Sequence, residues 1–372
     1  MSQAAAPQIE PAALAESLAR QEALTILDVR TDAEWPIEAP SATLVHLPAD
    51  RVLADPGGTA ERLAGPVAVV CNRGLMAAQV AAALRANGVD AQVLGGGMRG
   101  WLGALQERPV ELGLDGVEVL QVQRPGRGCL SYLVAAGDEA VVVDPAPDTD
   151  FYVALADRLG ARITQVFDTH LHADHLSGAR DLAKLTGAAL RLPEPALERG
   201  VAYAAHVVPL ADGEQIELGP VVLTAVALPG HTTDMTGLKI GDRAIATGDS
   251  LFADGIARPD LQRGDRDGAL AMGRQLHRTL RERLLSLPGE VVVLPGHAHP
   301  GVHDAVVAPT LDQVRAAVPE LALDDPDRFA LELLAAMPAR PANYEAIIGV
   351  NSGTHQFDPE LESGGNSCST RS

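Results

Sequence analysis

The chain has 372 residues, of which 47% are hydrophobic, and at roughly 150 residues per domain this length predicts two or three domains. Its formal net charge of −20 argues against a nucleic acid or an anionic membrane as partner, because such partners require a basic face. No uninterrupted apolar run reaches the roughly 18 residues of a membrane-spanning helix. The N-terminus lacks the pattern of a secretory signal, and three widely spaced cysteines make no disulfide framework, so we expect a reducing, cytoplasmic compartment.

The first part of the chain alternates helical and strand patterns. One continuous apolar run indicates a strand covered on both faces, and Gly88 supplies the stop signal for the helix that follows it. The predicted strands are 24–29, 66–71 and 91–94, and the predicted helices precede residue 24 and span 76–87. Strands that alternate with helices predict an α/β domain around a parallel sheet.

After residue 105 the pattern changes. Residues 106–116 mix proline, glycine and charge, and we expect them to connect two domains. Strands are predicted at 117–122, 130–135, 140–143, within 206–247 and at 291–294, with strand–helix alternation over 150–190 and helices at about 266–286 and onward to about 337. The small, polar residues of 360–372 predict a disordered tail.

Histidines and carboxylates follow the predicted strand 163–167 at high density. His170 and His172 are two residues apart in an extended segment, so both side chains can face one ion. Asp174 and His175 lie where the chain turns into a helix, and they can face a second position. Imidazole and carboxylate ligands at this density favour zinc or iron over calcium or magnesium.

Three more candidate ligands occupy equivalent positions in the chain. His231 and His297 each follow a strand and a Pro-Gly turn, and Asp249 follows a strand and a glycine. All of them lie just past the C-terminal end of a strand, so one sheet edge can bring them together. The remaining histidines lack this context, and we expect them to be structural or solvated.

Four segments resemble the motifs of the metallo-β-lactamase superfamily, namely THLHADH (169–175), PGHTTD (229–234), TGDSLF (247–252) and LPGH (294–297). The resemblance extends over about 117–357 and implies an αββα sandwich with metal at one sheet edge. Thioester hydrolases such as hydroxyacylglutathione hydrolase carry these motifs with two metals, and persulfide dioxygenases carry them with one iron. In the dioxygenases the iron ligands match His170, His231 and Asp249, and the other motif residues surround them.

Two features favour the dioxygenase branch. Residues 257–261 (ARPDL) resemble the G-R-T-D-F segment of persulfide dioxygenases, although alanine and proline depart from that pattern, and Arg258 and Asp260 are expected to shape the site through an ion pair. Hydroxyacylglutathione hydrolases carry late basic residues, often lysine, for the glutathione carboxylates, whereas this chain has no lysine after Lys239. The segment RPANY at 340–344 also resembles the C-terminal part of bacterial persulfide dioxygenases.

Cys71 lies in a tight loop between a predicted strand and a predicted helix. Backbone N–H groups and the helix dipole favour the reactive thiolate there, and Arg73 adds a cationic donor for an anionic sulfur substrate. The loop resembles the active loop of rhodaneses, and DVR (28–30) and GGMRGW (96–101) resemble the family's other signatures. The resemblance covers about 8–106 and implies a rhodanese-like α/β domain.

The leading interpretation is an iron enzyme, with one Fe(II) per chain, that oxidises a small-molecule thiol persulfide with O₂ to sulfite and thiol. Its rhodanese domain would carry sulfane sulfur on Cys71, although Met76 stands where many sulfurtransferases have arginine, which disfavours high thiosulfate activity. The alternative is a thioester hydrolase with two Zn(II), held by His170, His172, Asp174, His175, His231, Asp249 and His297. A third interpretation is a non-enzymatic sulfur carrier or redox sensor. Cys129 is expected to be a small core residue, and a homo-oligomer is left open.

Overall fold

A computed structural model describes residues 6–32, 37, 39, 41–299, 301 and 305–362 of the chain. Contacts divide the chain into two compact units. The first unit comprises the chain up to Gln106 with Arg124–Gly128 and residues 300–305, and the second comprises the remainder. Among the described residues, no helix has the length and apolar character needed to cross a membrane.

The first unit is a parallel sheet with helices on both faces. In chain order its elements are β1 (Gln8–Ile9), α1 (Pro11–Ala19), β2 (Thr25–Asp28), β3 (Thr43–His46), α2 (Ala49–Ala54), α3 (Pro56–Ala60), β4 (Val67–Val70), α4 (Leu75–Ala86), β5 (Ala91–Leu94) and α5 (Gly97–Gly103). The strand order is β1-β5-β4-β2-β3, and every pairing is parallel. Strands β2 and β4 are buried at every position, as expected when helices cover both faces.

The second unit contains two sheets. Its elements begin with β6 (Gln106–Pro109), β7 (Val117–Arg124), β8 (Cys129–Ala136), β9 (Glu139–Val143), α6 (Thr149–Arg158), β10 (Arg162–Phe167), α7 (Ala179–Thr186), β11 (Ala189–Pro193), α8 (Glu194–Leu197) and β12 (Val207–Leu210). They continue with β13 (Gln215–Leu218), β14 (Val221–Ala227), β15 (Thr236–Ile240), β16 (Ala244–Gly248), α9 (Arg266–Thr279), β17 (Val292–Pro295), α10 (Leu311–Ala317), α11 (Pro326–Ala335) and α12 (Tyr344–Asn351). A π-helical turn, Leu280–Leu284, extends α9.

These elements form four layers. The first sheet has the order β12-β11-β10-β9-β8-β7-β6 and the second the order β13-β14-β15-β16-β17. One apolar core lies between the sheets and includes Phe167 and Leu238. A second core packs the outer face of the second sheet against α9 and α11 through Leu276 and Phe329. With α6 and α7 packed on β10 of the first sheet, this is the αββα sandwich that the sequence resemblance implies.

The strand directions bring the predicted ligands to one edge. Strands β14 and β16 both run antiparallel to β15, so they point the same way, and β17 is parallel to β16. The C-terminal ends of β14, β16 and β17 therefore share an edge of the second sheet. His231, Asp249 and His297 follow these three ends.

Three segments differ from the sequence-based expectation. The predicted connector 106–116 contributes β6, the edge strand of the seven-stranded sheet. Helix α12 lies beyond the last predicted helix. The predicted disorder is wrong for residues 360–362, because Pro359–Glu362 forms a 3₁₀ turn and the Glu362 carboxylate accepts a hydrogen bond from Leu176 N at 2.9 Å. Residues 363–372 lie outside the described residues.

Candidate metal centre

Three of the predicted ligands converge on one point. His170 follows β10, His231 follows β14 and Asp249 follows β16, and all three are at most 1% exposed. The Nε2 atoms of His170 and His231 lie 3.9 and 3.8 Å from Asp249 Oδ2. Donor atoms at this spacing can bind one ion, so these residues form what we call the first metal position.

The first metal position holds polar atoms that the protein leaves unsatisfied. His170 Nε2, His231 Nε2 and Asp249 Oδ2 are buried and have no hydrogen-bond partner among the described residues. Buried polar atoms are nearly always hydrogen-bonded. Three buried polar atoms that lie close together without hydrogen-bond partners are therefore consistent with a bound cation. Two imidazole nitrogens and one carboxylate oxygen suit iron or zinc.

The other ring nitrogen of each histidine is held by a neighbour. His231 Nδ1 lies 2.7 Å from the carbonyl oxygen of Arg258, and His170 Nδ1 lies 3.0 Å from Thr169 Oγ1. Such contacts fix the ring orientation of metal-binding histidines. Burial, followed by the nearby cationic side chains, lowers the pKa of His170 well below its usual range, which keeps the ring neutral for metal binding.

His172 lies beside His170, with the two ring centroids 4.2 Å apart. Its Nε2 lies 3.1 Å from Asp144 Oδ1, and its Nδ1 is buried with no hydrogen-bond partner among the described residues. Burial lowers the pKa of His172, but the Asp144 carboxylate outweighs it and raises the pKa well above the usual range. His172 therefore offers a further nitrogen beside the first metal position.

Asp144 is a positioning residue that the sequence analysis missed. It follows β9 with a left-handed backbone, φ +51°, and its carboxylate accepts hydrogen bonds from Thr169 N at 2.7 Å and Thr169 Oγ1 at 2.9 Å. The carboxylate thus fixes His172 and the start of residues 169–177, here called the ligand loop. Asp144 lies immediately after a buried strand, and the same kind of position identified the predicted metal ligands.

The remaining predicted ligands form a second group. His297 Nε2 lies 2.7 Å and His175 Nδ1 lies 3.0 Å from Asp174 Oδ2. Cys129 joins them, because one ligand atom from each of the four buried side chains lies within 4.8 Å of the others. Cys129 is buried in β8, as expected for a core residue, and its thiol also lies beside these polar side chains. Burial raises the pKa of the Cys129 thiol, but His175 and His297 outweigh burial and lower the pKa to about 5.

Asn351, the last residue of α12, supports the ligand loop from behind. Its Nδ2 donates to the carbonyl oxygens of His172 at 3.0 Å and His175 at 2.8 Å. Its Oδ1 accepts a hydrogen bond from Ser177 N at 3.0 Å. No local pattern indicates this role, because α12 lies beyond the last predicted helix.

Arg258 and Asp260 form the predicted ion pair. Arg258 is fully buried, and its Nε and Nη2 lie 2.8 and 3.1 Å from the two oxygens of Asp260. Nη2 also donates to Pro338 O at 2.9 Å, and Arg340 Nε donates to Asp260 at 3.1 Å. Burial raises the pKa of Asp260, but the two arginines outweigh it and lower the pKa below the usual value. The pair thus fixes the backbone whose carbonyl holds His231.

Two glycines permit the close packing of this centre. Gly248 has a φ of +48°, and a Cβ there would lie 2.7 Å from Thr169 Oγ1. A Cβ on Gly296 would lie 2.5 Å from Asp249 Oδ1. These contacts explain why glycine precedes both Asp249 and His297.

Residues 71–77, here called the sulfur loop, join the end of β4 to the first turn of α4 in the first unit. Gly74 N and Ala77 N donate to Cys71 Sγ, at 3.1 and 3.4 Å, so backbone N–H groups point at the sulfur as the sequence predicts. Cys71 is 6% exposed, and Arg73 is exposed on the same loop. A Cβ on Gly97 would lie 2.2 Å from Cys71 O, so this glycine allows α5 to pack against the loop.

A buried metal-ligand set at the edge of an αββα sandwich defines a metal-dependent enzyme, here preceded by a domain with a cysteine loop. Residues 124–297 match the family described as Metallo-beta-lactamase superfamily, and residues 10–104 match the Rhodanese-like domain. The chain belongs to the metallo-β-lactamase superfamily and carries an N-terminal rhodanese domain.

The relatives include enzymes of two kinds. The protein named persulfide dioxygenase ETHE1, mitochondrial, from Bos taurus is 30% identical over 203 residues, which cover 52% of this chain and 72% of that protein. The counterpart from Homo sapiens is 31% identical over 191 residues, or 50% of this chain and 67% of that protein. A hydroxyacylglutathione hydrolase from Acidiphilium cryptum (strain JF-5) is 31% identical over 243 residues, or 61% of this chain and 92% of that protein. These matches support a metal-dependent enzyme.

Solved structures give the same fold. A metallo-beta-lactamase from Staphylococcus aureus subsp. aureus COL superposes with a TM-score of 0.61 at 23% identity, covering 66% of this chain and 76% of that chain. ETHE1 from Myxococcus xanthus superposes with a TM-score of 0.54 at 27% identity, covering 63% of this chain and 98% of that chain. The sandwich predicted from the sequence is confirmed.

Proposed function

We propose that this chain is an Fe(II)-dependent persulfide dioxygenase with a domain that carries sulfane sulfur. The observation that carries the proposal is the buried set of His170, His231 and Asp249, each with one unsatisfied donor atom. Two histidines and one carboxylate with open positions are typical of non-haem Fe(II) oxygenases. When bound, Fe(II) supplies redox chemistry with O₂ and positions for both reactants. One persulfide, one O₂ and one water would yield one thiol, one sulfite and two protons.

The contacts of Asp249 favour a single ion at the first metal position. His297 Nδ1 lies 2.7 Å from Asp249 Oδ1, and a hydrogen bond there leaves only Oδ2 for a metal. A dinuclear centre bridged through both oxygens of this carboxylate would need Oδ1 as well. The geometry therefore supports one iron at the first metal position.

Other residues act by orienting the ligands or by handling sulfur. In the proposed enzyme, Asp144 and Asn351 hold the ligand loop, and the Arg258–Asp260 pair holds the carbonyl that orients His231. Cys71 would carry sulfane sulfur, stabilised by the N–H groups of the sulfur loop. Arg73 would attract the anionic sulfur donor. Relatives named persulfide dioxygenase and the rhodanese match support this pairing of activities.

The test pairs metal content with oxygen uptake. We expect about one iron per chain in protein purified under low oxygen, and rapid O₂ uptake when glutathione persulfide is added. His231→Ala should abolish both, whereas His206→Ala, which changes an exposed histidine of the same unit, should leave both unchanged. Iron-loaded protein that consumes no O₂ with persulfide would refute the proposal.

The second candidate is a dinuclear zinc thioester hydrolase. The unpartnered Nδ1 of His172 favours it, because this atom adds a fourth donor beside the first metal position. The relative named hydroxyacylglutathione hydrolase also aligns over most of its length. About two zincs per chain, thioester turnover and no O₂ uptake would select this activity.

A further inference from the structure

Arg199 lies at the same sheet edge as the first metal position. It follows β11 and the short helix α8, and β11 runs parallel to β10, the strand that precedes His170. Ligands commonly bind at the C-terminal ends of parallel strands. Burial, followed by cationic neighbours that include Arg199, lowers the pKa of His170. The guanidinium is therefore within electrostatic range of a predicted metal ligand.

A buried carboxylate links this guanidinium to the ligand loop. Asp234 is fully buried, and its Oδ1 accepts a hydrogen bond from Arg199 Nη1 at 2.5 Å. Its Oδ2 accepts a hydrogen bond from the backbone N–H of Leu171, the residue after His170, at 2.8 Å. The Arg199 head group is thus held in place before a ligand arrives, which reduces the entropy cost of binding one.

Most hydrogen-bond donors of Arg199 are not used by the protein. Among the described residues, Nη1 alone of its nitrogens has a hydrogen-bond partner. The side chain is 13% exposed, and neither Nε nor Nη2 belongs to the buried atoms without partners, so these donors reach the surface. Arg258 also pairs with an aspartate, but it is fully buried and donates to a backbone carbonyl as well. The exposed donors of Arg199 are therefore available to a second anion.

We propose that Arg199 binds an anionic group, a carboxylate or a phosphate, on the thiol that carries the persulfide sulfur. The inference rests on the proposed function, in which that sulfur binds at the first metal position. The planar donor fork of arginine matches both kinds of oxyanion. A tripeptide-sized thiol extends to about 10 Å, and only one carboxylate separates Arg199 from the ligand loop. Sulfur at the metal and an anion at Arg199 can thus belong to one molecule, and Arg199 selects acidic thiols over neutral ones.

Thiol binding under low oxygen tests this assignment without turnover. Isothermal titration of the full chain compares glutathione with its dimethyl ester, and phosphopantetheine with pantetheine. The first pair differs in its carboxylates and the second in its phosphate, so the pair that is discriminated identifies the anion. We expect the acidic member of one pair to bind about 10- to 100-fold more tightly than its neutral counterpart. Arg199→Gln should lose this preference, and Arg162→Gln, which changes an exposed arginine of the same unit, should keep it.

Two further variants separate anion binding from a purely structural role. Asp234→Asn keeps the Arg199 guanidinium, so it should keep the preference for the acidic thiol. Asp234→Asn combined with Arg199→Gln leaves no unpaired buried carboxylate, which guards against misfolding of the single variant, and it should lose the preference. Loss of the preference in Asp234→Asn alone, a preference that survives in the double variant, or equal binding within both pairs by the wild type would each overturn the proposal. The readout does not involve O₂ uptake, so failure of this site and failure of the dioxygenase activity are distinguishable.

Discussion

Replacing Asn351 with alanine tests whether helix α12 holds the metal-ligand loop in place. The substitution removes three hydrogen bonds, two donated to the carbonyl oxygens of His172 and His175 and one accepted from Ser177 N. Each such bond contributes about 1 kcal/mol, so we expect a loss of about 3 kcal/mol in the free energy of unfolding. For a unit of this size the melting temperature should fall by about 6–12 °C. Contacts that orient metal ligands also affect affinity, so metal binding should weaken about 10- to 100-fold.

Scanning calorimetry and metal titration measure the two effects. Both tryptophans of the chain precede residue 107, so tryptophan fluorescence follows the first unit and provides an internal reference that should not change. Asn87→Ala is the matched control, because the amide of this exposed residue donates one hydrogen bond to Ala83 O, and we expect it to change stability by less than about 0.5 kcal/mol. Equal metal affinity in Asn351→Ala and the wild type would refute the role assigned to α12.

Two further substitutions test the other supporting contacts. Asp260→Asn should destabilise the second unit by about 3–5 kcal/mol, because it leaves the buried Arg258 guanidinium without its carboxylate. The control is Glu332→Gln, which changes an exposed ion pair. It should change stability by less than about 1 kcal/mol in the same calorimetric measurement. Folding lowers the pKa of Asp260. The stability difference between the wild type and Asp260→Asn should therefore be full above the unfolded pKa and should shrink as the pH falls through the folded pKa. A stability difference that does not change with pH would contradict this. Gly97→Ala, which places a Cβ 2.2 Å from the carbonyl oxygen of the sulfur-loop cysteine, should abolish persulfide loading of that cysteine measured by mass spectrometry, whereas Gly103→Ala, with open space around its Cβ, should load normally.

The metal ligands could be predicted because their signals are local. His170, His231 and Asp249 each follow a buried strand, and strand direction alone brings such positions to one sheet edge. The Arg258–Asp260 pair was also predictable, since its members are two residues apart. Each of these inferences needs only a short stretch of sequence and the geometry of a strand.

The supporting residues depend on partners far along the chain. Asn351 contacts carbonyl oxygens 176 and 179 positions away. A single asparagine at a helix end carries no sequence pattern that predicts such distant partners. Cys129 is predicted to be a core residue because it lies at the start of an apolar strand. Only the pairing of Cys129 with His297 gives the thiol polar neighbours. Strand β1 has two residues, too few for any periodicity, and it exists because β5 pairs with it.

The attachment of α12 to the ligand loop has a consequence for biosynthesis. The Asn351 amide, which donates to the carbonyl oxygens of His172 and His175, is translated at least 176 residues after them. At roughly 5–20 residues per second this delay is about 10–35 s. When Asn351 is translated, His170, His231 and Asp249 of the first metal position are already present in the nascent chain, and until then the ligand loop lacks this backbone support. Stable metal binding at the ligand loop is therefore expected only after α12 has been translated, because Asn351 of α12 fixes that loop.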